Sequence, residues 1–378
     1  MRGSALGLLV VLLLAPAAAP ARPLCSGSVP HGPRGLPWRV VIRTSCGAFV
    51  VHADGSVEHR TVRPWAATWA PVNSARVLPG TYMSRRHDYI TLLRAGHVLW
   101  RSSRPYHYVS SIAVGRHAVA WSMTTREGRI GSLYLARIGS PERRIGAGED
   151  PLGFTRAGTF VTERPHGSRM TLFLWRDGSR RVLARRVRAA AADDAAASVV
   201  FVTGDRRLLS FDGRRARQLG RTGFPPGQWL QPIGGGLIGI FGSGGVRVFR
   251  AGGGLFASAR LRRGVVDGTG LVGSPDGSAA AYFAEWRRSV RVYHGFATVA
   301  VLRAGDRRGT ILYRRPVRIG CGSGGGLSWH RRWLLAETST PARLAAIDTA
   351  TRRVVDLTGV AHGLPGRGTF LAEWAQSN

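Results

Sequence analysis

Eight short apolar runs in this 378-residue chain end in tight turns of Arg-Ala-Gly, Asp-Gly or similar composition, and a second run follows each turn. With Ala53, Arg94, Arg137, Arg176, Phe211, Arg250, Arg303 and Asp348 as markers, the successive steps are 41, 43, 39, 35, 39, 53 and 45 residues. A recurrence of roughly 40 to 45 residues is the length of one four-stranded propeller blade. Radial repetition absorbs a chain of this length in one domain, and no low-complexity linker interrupts the interior.

Each unit divides into short apolar segments separated by Gly, Asp or Ser, without a sustained helical period. In one unit the segments are residues 151–155, 159–161, 171–175 and 181–183. Residues 118–121, 199–202, 237–240, 281–284 and 334–336 occupy the second slot of their units. Small and β-branched residues there suit a strand buried on both faces. The Ala-rich stretch 189–197 could form a helical turn, and is placed instead at the inner strand or loop of its unit.

The first unit has strands at 39–44, 49–52 and 57–62 and nothing before them to serve as the innermost strand. The orphan segment 368–375 supplies one. Pairing it with 39–44 completes a shared blade and removes two exposed edges. The fold class is therefore all-β, a propeller of four-stranded blades closed by pairing of its terminal strands, with eight blades favoured over seven or six. The 53-residue step near 286–296 marks an insertion on one face.

Arg2, the apolar residues 6–14 and the small residues 15–21 have the layout of a secretory signal peptide. The expected organisation is a signal peptide over 1–21, a flexible tail over 22–37 rich in Pro, Gly and Ser, and one propeller domain over 38–378. A lipoprotein reading would use Cys25, although Pro23 and Leu24 stand where small residues are wanted. The expected location is secreted or cell envelope, with no transmembrane segment after signal cleavage and a monomeric product. In such an oxidising compartment two of the three cysteines should pair. Cys25 with Cys46 is preferred to Cys46 with Cys321.

Net charge is +33, from 54 basic and 21 acidic residues, and every basic residue is arginine. A coding bias toward Arg, Ala and Gly explains the missing lysine but not the missing acids. Dense arginine attracts polyanions. Its spread through all units, rather than in one stripe, argues against a nucleic-acid partner.

Residues Ser274-Pro275-Asp276-Gly277-Ser278, followed by Ala279 to Ala284, resemble the WD40-like propeller repeat of TolB-type proteins. The resemblance covers most of the chain by period and about a dozen residues by motif. It implies a propeller of six to eight blades that binds proteins or peptides across its faces, with no catalytic residues to carry over.

Asp54, Asp177, Asp212, Asp267 and Asp276 all precede Gly, a pairing that favours hairpin turns, so their expected task is backbone geometry. Few carboxylates remain for catalysis; the adjacent pairs are Asp193-Asp194 and Glu149-Asp150. The histidines, His52 and His59 included, lack a ligand spacing, and no Gly-x-Ser-x-Gly elbow occurs. No metal, cofactor or catalytic residue is assigned. Of the eleven tryptophans, Trp121, Trp175 and Trp333 read as core, whereas Trp65, Trp69 and Trp286 fall in expected loops. Trp286 with Arg287 and Arg288 is the candidate ligand-binding loop, because exposed aromatic and Arg side chains dominate binding hot spots.

The function expected is that of an exported, non-catalytic propeller that binds a protein, peptide or anionic envelope polymer. The alternative is a carbohydrate-cleaving or lactonase-type enzyme with its site in the central channel. Two or more carboxylates facing one pocket would distinguish the second.

Overall fold

The computed structural model describes residues 25, 27–44, 46–60, 69–72, 75–81, 88–94, 97–104, 106, 109–115, 117–125, 127–193, 196–223, 229–242, 244–261, 265–288, 294–318, 326–339, 342–365 and 371–375. The expected signal peptide, Trp65 and Cys321 lie outside them.

The described strands form eight four-stranded antiparallel sheets. Seven are built from consecutive segments, at 69–101, 109–147, 150–187, 189–221, 229–260, 265–318 and 327–356. The first sheet differs. It takes Val40–Thr44, Gly47–Val51 and Val57–Arg60 from the start of the chain and Leu371–Trp374 from near its end. Val40 stands opposite Trp374, and Arg43 opposite Leu371. Segment 189–193 is a strand, the innermost of the fifth sheet.

Second strands form the core. Ser198–Val202, Leu237–Gly242 and the first seven residues of Ala279–Arg287 are buried without interruption, because their pleats face the neighbouring sheet on either side. Innermost strands of successive sheets adjoin one another, from the third sheet through the eighth and on to Leu371–Trp374. Leu335 and Ala346 of the eighth sheet pack in one cluster with Ile42 and Phe49 of the first.

Residues 27–37 run along the first sheet: Leu36 is buried, and the Gly32 and Gly35 N–H groups donate to the Gly55 and Ala53 carbonyls at 2.7 and 3.1 Å. Trp38 donates its indole N–H to the Ala375 carbonyl at 2.8 Å and stacks on His330, which in turn contacts the Trp374 ring. The tail is held because its Pro and Gly residues fit against the first sheet and a short helix, Thr358–Gly363. Asp267-Gly268, expected as a turn, lies inside the strand Val265–Gly273 at a register shift. An Asp-Gly pair is as compatible with a bulge as with a hairpin.

Candidate functional site

The seventh sheet accounts for the long sequence step. Its strands Ala279–Arg287, His294–Arg303 and Thr310–Arg318 have 9, 10 and 9 residues, so the additional chain extends the ladder. Trp286 is therefore a strand residue, paired with Val266 and Phe296, and the expectation that it lies in a loop is corrected. The same holds for Trp69, which begins the strand Trp69–Val72. Trp286 and Arg287 are half-buried, and Arg288 is exposed just past the strand end. Phe296, in the same cross-strand row, carries the Arg314 guanidinium over its ring at 4.2 Å. An aromatic and arginine-bearing row is present, formed by paired strands of the seventh sheet.

A concavity lies elsewhere, between the third and fourth sheets, with a volume of about 930 Å³. Its walls are the ends of the innermost strands Val109–Val114 and Asp150–Phe154 and the turns beside them. Leu135, Ile145, Phe154, Phe160 and Trp175 give it an apolar floor; Arg137, Arg143, Arg156, Arg176, His117 and Asp177 bring charge and polarity to its rim. Phe154 and Phe160 stack at 5.0 Å. Gly115 permits this packing, since a Cβ there would lie 2.7 Å from the Phe154 ring.

The rim is anchored. The Arg156 N–H donates to the Ala197 carbonyl at 2.5 Å and the Ala157 N–H to the Asp212 carbonyl at 3.3 Å, so the fifth sheet fixes the turn that carries Arg156. Arg176 enters a tight hairpin in which Asp177 and Gly178 both have positive φ, 51° and 83°. That left-handed pair is the geometry the Asp-Gly sequence was expected to supply.

Arginines at this junction fall into two groups. Arg164 and Arg180 donate to Oε1 of Glu149 at 3.0 and 2.5 Å and lie over the Phe173 ring. Glu149 is completely buried and accepts also from Thr162 at 2.5 Å and from the Trp175 indole N–H at 3.3 Å. The four rim arginines are exposed, and among the described residues no carboxylate pairs with them.

The acidic candidates are engaged structurally. Asp193 is buried and accepts from the Ala196 N–H at 3.1 Å; Asp194 is outside the described residues. Asp150 accepts from Ser122 Oγ and stands opposite Glu163 in the ladder. Burial, with the Asp150 charge beside it, pushes the Glu163 carboxyl up to about 7. Asp54, Asp212 and Asp276 accept hydrogen bonds within their own turns. For Asp276 the Ser274 and Ser278 donors hold the carboxyl down at about 2. His59 stacks on Phe49, and His52 lies 3.4 Å from Glu58. Among the described residues, no three His, Cys, Asp or Glu side chains are grouped as metal ligands. Cys25 and Cys46 are joined by a disulfide with Cα atoms 5.2 Å apart.

No protein-family model matches the chain, and no curated protein matches it in sequence. Solved structures do match in fold. Apo AztD from Citrobacter koseri superposes with a TM-score of 0.53 at 10% identity, covering 89% of this chain and 97% of that one. A second Citrobacter koseri AztD structure gives 0.52 at 10% identity, with 90% and 99% covered. The dihydro-heme d1 dehydrogenase NirN, in complex with DHE, gives 0.50 at 13% identity, with 90% and 78% covered. These neighbours are β-propellers. The fold is a β-propeller of four-stranded antiparallel sheets. Within this propeller the cleft lies between two adjacent sheets, at the ends of their innermost strands. Sequence reasoning missed it because its lining comes from turns about 20 to 60 residues apart; the available signal was the recurrence of Arg at the ends of third strands, as at Arg137 and Arg176.

Proposed function

We propose that this chain is an exported, non-catalytic propeller that binds an anionic protein, peptide or envelope polymer through arginines displayed on its sheets. The observation carrying this reading is the exposure of arginines on the outermost strands, such as Arg181, Arg185 and Arg186 on Ser179–Val187 and Arg314 and Arg315 on Thr310–Arg318. Guanidinium groups so displayed match carboxylate and phosphate in planar, bidentate geometry. Export is supported by the layout of residues 1–21 and by the Cys25–Cys46 disulfide, since such bonds persist in oxidising compartments. The enzyme alternative needs convergent carboxylates at one pocket, and among the described residues Asp177 is the one carboxylate lining the cleft. NirN is named as a dehydrogenase, but similarity at 13% identity carries the fold and not that chemistry.

The test is retrieval of partners from the producing cell's envelope fraction by the mature chain, at low and high salt. A defined partner retained at high salt, or an anionic polymer released as salt rises, is expected. Retention of neither at low salt would overturn the reading.

A further inference from the structure

We infer that the cleft between the third and fourth sheets is a binding site for a compact, multiply phosphorylated ligand with a flat body. The inference rests on the proposed anionic-ligand function and goes beyond it by naming a site and a ligand class.

Three features of the cleft lead there. Its volume of about 930 Å³ fits one small molecule, within the range of roughly 300–1,000 Å³ typical of ligand pockets. Its charge is unbalanced: among the described residues its lining has Arg137, Arg143, Arg156 and Arg176 against a single carboxylate, Asp177. A ligand neutralising that excess in so small a space must concentrate several negative charges, and phosphate carries up to two on one group. Arg164 and Arg180 nearby show the contrasting case, in which Glu149 already supplies the counter-charge.

The floor fixes the rest of the ligand. The Trp175 indole N–H is committed to Glu149 and Thr162, and the Thr155 and Thr159 hydroxyls are hydrogen-bonded to each other at 2.6 Å. Among the described residues the lining contains no Asn, Gln or Glu. What the floor offers is therefore chiefly aromatic and aliphatic surface from Phe154, Ile145 and Trp175. A neutral sugar would find few donors or acceptors to satisfy its hydroxyls there, at a cost for each one desolvated. A flat ring system gains by burial and stacking. The turn that carries Arg156 is preorganised, because its backbone is tied to the fifth sheet.

Calorimetric titration of the full mature chain with ATP and with inorganic tripolyphosphate, as probes of this chemistry, tests the inference. ATP should bind at one site per chain and about tenfold more tightly than tripolyphosphate, the difference reporting the flat body. The double variant Arg143→Ser/Arg156→Ser should weaken ATP binding by at least about tenfold with an unchanged melting temperature. Arg307→Ser/Arg308→Ser, exposed in a hairpin of the seventh sheet, should leave ATP affinity within about twofold. Equal affinity for the two probes overturns the flat-body assignment. Loss that follows the Arg307/Arg308 variant rather than the cleft variant overturns the site while leaving the wider anionic reading intact. Absence of saturable ATP binding to the intact chain also overturns the site, and the envelope retrieval then decides the wider reading separately.

Discussion

Glu163 stands directly across the ladder from Asp150, so two carboxylates share one register position of the fourth sheet, and Ser122 donates to the Asp150 side. Burial, and after it the facing Asp150 charge, lets Glu163 hold its proton up to about pH 7, whereas its ordinary value is 4.5. The folded state then binds a proton that the unfolded chain releases between those values. Stability should fall as pH rises through that window and level off above it, by about 1.4 kcal/mol per pH unit for one such group. Glu337, also pushed up to about 7 by burial, adds a second contribution. Urea unfolding of Glu163→Gln from pH 4.5 to 8 should show roughly half the wild-type slope; an unchanged slope would refute the assignment.

Glu149 is the counter-ion between the third and fourth sheets. Glu149→Ala removes the shared acceptor of Arg164, Arg180, Thr162 and Trp175. Because both arginines are partly exposed, the loss should lie at the lower end for a broken buried pair, about 3 kcal/mol. Glu149→Gln, which keeps an acceptor, should cost less. Denaturant midpoints of the two variants check the order.

Cys25 and Cys46 are 21 residues apart in sequence. Opening a loop of that size should lower stability by about 3 kcal/mol on the chain-entropy account. Peptide mapping without reductant should recover the Cys25–Cys46 pair, and Cys25→Ser should melt lower than wild type. Recovery of a Cys46–Cys321 peptide would contradict the pairing.

Trp374 is buried, donates its indole N–H to the Ser328 carbonyl at 3.1 Å, and contacts His330. Trp374→Ala should cost about 3–5 kcal/mol, the range for truncating a large buried aromatic. Thermal unfolding should show the loss as a shift of the whole transition; a local effect confined to the last residues would argue against an integral role.

Periodicity was legible because second strands recur with the same buried, small and β-branched composition, as at 199–202 and 281–284. The terminal pairing was legible because 39–44 lacked an inner neighbour and 368–375 lacked any other role. Trp286 misled because a longer step can lengthen either a loop or a ladder, and composition does not distinguish them. The cleft was hidden for another reason. Arginine is so abundant that the four positions meeting at one rim have no distinctive local sequence, and only the stacking of adjacent sheets brings them together.

The bond from Trp38 to Ala375 spans 337 residues of sequence. During synthesis the first sheet must wait for nearly the whole chain before its innermost strand emerges, so Val40–Thr44 presents an unpaired edge throughout that interval. The order of manufacture and the order of completion are thus reversed: the earliest sheet to appear is among the last to be finished. A ribosome stalled before residue 371 releases a molecule whose first sheet still offers an open edge to another chain.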